Sequence, residues 1–294
     1  MLKYKSILDK LTDDQKTALL SDVAAFSDPH IASLGVPPIR TALLSTLAAE
    51  AGMPSYASMA AAWDLALIGQ VTQAAAVQAR AKGANLFVTP DLKCTSNDAV
   101  RGLSEDAFFN GETGAAMARA VRAAGGACAY ARLACDEKDV ACLDVNEDAR
   151  AIYDLVRKPF VQAAKSASPD AIVSSLDRPC GGYLGTNVRL FSDIVAGEYG
   201  KDVVALSQQL APDVDYHAFL AGSVCLGGGG VALSRALGRY RKLAQERAAG
   251  SVSERELQGA EADGIAVPPA AADAAADRMI DFAYRVNKIV PAAV

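Results

Sequence analysis

The sequence predicts an α/β protein of the (β/α)8 barrel type, and three observations carry that expectation. Short, fully apolar segments alternate with amphipathic helical ones, glycine or proline punctuates each passage from helix to strand, and 294 residues suffice for one barrel. Strands that are apolar on both sides belong to a parallel sheet covered on both faces. A doubly wound open sheet is the alternative, because the same alternation builds both. The whole chain, 1–294, is taken as one barrel domain, with room for irregular or incomplete closure where loops are short.

The elements follow in order. Thr12 and Gln15 form a capping-box pattern, and Leu19, Leu20 and Val23 then share a face, which predicts a helix over 13–25. An alanine-rich helix is expected over 57–82, closed by Gly83, with the apolar run 85–88 as the strand behind it. The pattern returns as helix 115–124, the break Gly125-Gly126 and strand 127–131. It returns again as helix 150–167, Pro169 and strand 171–174, and then as helix 187–198, Gly200 and strand 203–206. Gly227 to Gly230 read as a flexible loop, since no Lys-Ser/Thr follows to complete a phosphate-binding motif. Pro268 and Pro269 precede a last helix over 271–290, expected to pack on the barrel.

A formal charge of −5 and a pI near 5.2 give no net attraction to nucleic acid or anionic lipid, so neither partner is expected. No segment is long and apolar enough for a secretory signal or a membrane span. The six cysteines, Cys94, Cys128, Cys135, Cys142, Cys180 and Cys225, are scattered, which fits reduced thiols in a cytoplasmic protein better than a disulfide scaffold. Cys128, Cys135 and Cys142 recur every seven residues. Zinc sites favour closer pairs, and the two histidines, His30 and His217, lie far away, so no metal and no cofactor are expected.

Several segments, read in order, resemble the first, barrel-forming domain of the family 3 glycoside hydrolases. LTDDQKTALLSD (11–22) resembles that family's opening helix and LGVPPIR (34–40) its entry into the first strand. MPSYASMAAAWD (53–64) is similar to its proline-serine to tryptophan-aspartate stretch. ARAKGANLFVTP (79–90) resembles a passage that ends in glycine-proline, with Thr89 in the glycine's place. LSEDAFFNGETGAAMARAVRAAGG (103–126), IYDLVRKPFVQAAK (152–165), SPDAIVSS (168–175) and FSDIVAGEYGKDVVALSQ (191–208) resemble successive helices and strands up to the nucleophile.

The resemblance also implies what is missing. Retaining glycosidases need two carboxyl groups about 5 to 5.5 Å apart, one attacking the sugar and one protonating the leaving oxygen. The family's Ser-Asp-Trp triplet reads Ser207-Gln208-Gln209 here, and an uncharged amide at Gln208 cannot serve as that nucleophile. The sugar-gripping Lys-His pair falls on Tyr130 and Ala131. The aspartate that clamps the far hydroxyls falls on Leu43, an aromatic position on Leu176, and a late aspartate on Val224. Arg101 matches the family's sugar-binding arginine from a shortened loop. The family's single-domain members take their acid from a loop histidine, where this chain has Asp136, Glu137, Lys138 and Asp139.

Asp136 and Glu137 remain weak candidates for a general acid, against a solvated loop turn. Trp63 beside Asp64 is expected to be a core residue. Asp215, Tyr216 and His217 lack a serine or cysteine elbow and form no triad. Two classes of function follow. One is a non-catalytic barrel kept as an interaction or assembly subunit, pairing with itself or with a related active subunit. The other is an enzyme or small-molecule binder with a repurposed apolar pocket, including residual O-glycosyl hydrolysis through Asp136 or Glu137. Self-association is expected to bury the barrel rim or the C-terminal helix.

Overall fold

The computed structural model describes residues 2–94, 103–133, 158–174, 203–207, 223–225, 230–262, 266–289 and 291. Six strands, β1 Thr41–Leu43, β2 Leu86–Asp91, β3 Ala127–Leu133, β4 Ala171–Ser174, β5 Val204–Ser207 and β6 Ser223–Cys225, form one sheet. They lie side by side in chain order and every pairing is parallel. A doubly wound sheet reverses its strand order at a switch point, and this one does not. The order is that of a barrel, with β1 and β6 at the two edges of the sheet among the described residues.

The period of two along each strand divides the molecule into two cores. Phe87, Cys128, Tyr130 and Ile172 point to the face covered by the connecting helices α2 Leu44–Glu50, α3 Tyr56–Ala60, α4 Leu65–Ala81, α5 Ala107–Ala123 and α6 Lys158–Ser166. The alternate residues Leu86, Val88, Ala127, Ala129, Ala131, Ala171, Val173 and Leu206 point to the other face. There they share a core with α1 Asp13–Ser21, α7 Gly230–Ala248 and the last helix, α9 Pro269–Lys288, through Leu19, Leu20, Leu233, Met279, Ile280 and Phe282. Helix α8, Glu254–Ala262, joins α7 to α9.

All four predicted strands are present. The helices depart from expectation in instructive places. Helix α1 has the anticipated capping box, Gln15 N donating to Thr12 Oγ1 (3.2 Å) and Thr12 N to Gln15 Oε1 (2.9 Å), but it ends at Ser21. Asp22 caps a separate 3₁₀ turn, Val23–Ser27, by accepting from Ala24 N, and this stops the expected run to residue 25. The single helix over 57–82 is two helices. Trp63 takes φ +52 and Asp64 then caps α4 by accepting from Leu67 N (3.0 Å), so the chain restarts rather than continues. Helix α5 begins eight residues before the apolar periodicity suggested, because Asp106 caps it through Phe109 N (2.6 Å). Gly230 is the first residue of α7 rather than part of a loop, and α7 and α8 were not anticipated. Helix 187–198 and residues 150–157 lie outside the described residues.

Gly111 lets α5 and α6 approach closely, and Gly114 makes room for the segment that follows β2. A Cβ on Gly111 would stand 2.5 Å from that of Gln162 and 2.8 Å from the Pro159 carbonyl oxygen; one on Gly114 would meet Leu92 at 2.8 Å. The contact is locked by Glu112, whose Oε1 accepts from Gln162 Nε2 (2.6 Å) and Ser166 Oγ (2.8 Å). At the opposite end of the sheet Asn85 joins three segments. It accepts from Arg40 N (2.7 Å) and donates to the Pro38 oxygen (2.8 Å) and to Asn287 Oδ1 on α9 (3.1 Å). Gly111→Ala should lower stability by roughly 1–3 kcal/mol in urea titration, overriding the gain of roughly 1 kcal/mol that alanine has over glycine within a helix.

Candidate functional site

In a sheet of this order, ligands meet the C-terminal ends of the strands. That rim is built here from Leu43, the Thr89-Pro90-Asp91 end of β2, Ala131 to Leu133, Ser174, Ser207 and Cys225. Bulges reshape it. Between Val88 and Asp91 of β2, three steps match two on β3, and between Tyr130 and Leu133 of β3 three match two on β4. Such bulges cluster at barrel rims and re-aim side chains. Pro90 has no N–H to give to a ladder, and across the bulge the Thr89 hydroxyl accepts from Ala131 N (3.0 Å). Leu92 N then donates to the Ala131 oxygen (2.9 Å). Thr89, the departure from the family's glycine, is thus a structural part of the rim.

The bulge places Asp91 opposite Ala131, and the chain continues through Lys93. Both charged residues are 6% exposed. Sequence reasoning passed over them, although two charges directly after an apolar strand are the available signal, because burial of either costs several kcal/mol unless partners surround it. The segment is held from α5. Asn110, fully buried, donates to the Lys93 oxygen (3.5 Å) and the Ser104 oxygen (2.9 Å) and accepts from Ser104 Oγ (2.6 Å). The Ser-Glu-Asp stretch is therefore framework, with Ser104 and Asp106 serving as turn and cap. Cys94 lies beside it, and burial, with the charges of Asp106 and Glu105, pushes its thiol up to about 11. A thiol so raised is a poor nucleophile near neutral pH.

The sequence-derived positions separate on folding. Leu43 is at the end of edge strand β1, beside Val88, and is half exposed. Ala131 faces the same side as Val88 and is buried. Tyr130, expected beside Ala131 in the pocket, lies on the other face. Its ring is fully buried among the connecting helices and its hydroxyl donates to the Ala167 oxygen (2.5 Å), because adjacent strand residues point to opposite sides. Burial also raises its pKa, so it stays a neutral donor. Val224 sits in the middle of β6. Arg101, Asp136, Glu137, Leu176, Gln208, Gln209, Asp215, Tyr216 and His217 lie outside the described residues, Gln208 directly after the end of β5. His30 is exposed in a short helix.

Trp63 is not a core residue. It is 62% exposed and stacks on Phe109 at 4.2 Å between ring centroids. The apolar periodicity around it misled, since the left-handed break carries the indole outward. Among the described residues, no cluster of three or more metal-binding side chains occurs and no helix is long and apolar enough to cross a membrane. Cys94 and Cys128 are free thiols.

Two measurements check this geometry. Alkylation of Cys94 should be slow at neutral pH and accelerate as pH approaches about 11, the direction set by a thiol raised from its usual value. Asn110→Ala should expose Cys94 and speed its alkylation several-fold at fixed pH, because the amide that ties the Lys93 and Ser104 backbones is gone.

No protein-family model matches the chain. Curated relatives include β-glucosidase B of Emericella nidulans, 28% identical over 214 residues, covering 67% of this chain and 25% of that protein. Another is the β-glucosidase of Rhizobium radiobacter, 27% identical over 218 residues, covering 68% and 26%. The chain thus spans about a quarter of the length of these relatives. Among solved structures, a Bifidobacterium adolescentis GH3 β-glucosidase superposes with a TM-score of 0.65 at 18% identity, covering 96% of this chain and 41% of that one. The Kluyveromyces marxianus β-glucosidase does so with 0.64 at 18%, covering 99% and 35%. By sequence likeness and by fold, the chain is a family 3 β-glucosidase-like protein.

Proposed function

We propose that this chain is a non-catalytic barrel, retained as an interaction or assembly subunit, in which glycoside hydrolysis has been lost. The observation that carries this reading is the chemistry at the positions where the resemblance puts nucleophile and sugar contacts. Gln208, Leu43, Tyr130, Ala131, Leu176 and Val224 bear no charge, and the Tyr130 hydroxyl is committed to a backbone oxygen on the far side of the sheet. Losing one carboxylate changes a mechanism; losing the hydroxyl-binding floor with it removes ground-state binding and transition-state stabilisation together. The partner is a second copy or a related active subunit. A reduced, cytoplasmic setting accords with the free thiols at Cys94 and Cys128.

One observation favours a second reading, a small-molecule binder with a repurposed pocket. Asp91 and Lys93 bring two charged side chains, each 6% exposed, to the strand ends where ligands of such a sheet bind. Residual hydrolysis through Asp136 or Glu137 is the remaining form of that reading.

Purified protein is expected to release no nitrophenol from nitrophenyl β-glycosides above a protein-free control. Gln208→Asp alone should not restore release, because Leu43, Ala131 and the misdirected Tyr130 still cannot hold a sugar. Hydrolysis by the unmodified chain that disappears in Gln208→Ala would overturn the non-catalytic reading, and hydrolysis lost instead in Asp136→Asn or Glu137→Gln would establish the residual-enzyme form.

A further inference from the structure

We draw no further inference here: the strongest candidate, the surface patch at the N-terminal ends of α4 and α5 where the exposed Trp63 stacks on Phe109 beside the exposed Phe108, carries none, because nothing in the structure shows what covers it.

Discussion

A parallel sheet has to be covered on both faces, and the rest of this structure follows from how that requirement is met. Strands laid down in chain order put their connecting helices α4, α5 and α6 on one face. The other face is kept from water by closure of the sheet on itself, by further elements packed on it, or by both. Here α1, α7 and α9 cap it, and Leu19, Leu20, Met279 and Phe282 share a core with Leu86, Val88 and Ala129. Half of the strand residues named on this face are alanine, which leaves room for these helices to approach the sheet.

That solution bears directly on the site. The rim at the C-terminal ends of the strands is shaped by two bulges and by Thr89, whose hydroxyl accepts from the Ala131 N–H across one of them. Asn110 fixes the segment beyond β2 from α5, so Asp91 and Lys93 are held in place from two directions. The acidic stretch 104–106, which in sequence looks like a functional loop, contributes a turn and a helix cap. The β2 part of this rim is therefore held from two sides, while Leu43 and Ala131, the described positions that the resemblance puts in the pocket, contribute no side-chain polarity to it.

Tyr130 and Trp63 show how one local geometric fact can reverse a residue's role. Tyr130 is next to Ala131 in sequence, yet the alternation of a strand sends the two side chains into different cores, and the tyrosine hydroxyl ends as a tie to the backbone of α6's C-terminal turn. Trp63 lies in an alanine-rich stretch with helical periodicity, and a single left-handed residue moves it from the expected core to the surface. A bulky residue in that conformation is unfavourable, so the break is set by its surroundings: the Asp64 cap of α4 on one side and the Phe109 ring on the other.

The sequence by itself determined the fold class, the positions of strands β2 to β5, the caps at Thr12 and Gly83 and the resemblance to family 3 glycosidases. All of these are local or linear properties, written in periodicity, punctuation and segment order. The resemblance the sequence carries also implies that Gln208 stands where that family has its nucleophile, and that an amide occupies this position is a fact of sequence that folding does not change. Only the tertiary structure decided which face each rim residue serves, that Asp91 and Lys93 are buried together behind a bulge, and that α9 is spent on the sheet. Those outcomes depend on bulges, left-handed breaks and contacts between segments tens to hundreds of residues apart. Asn85 reaching Asn287 is one such contact, and no local pattern records it.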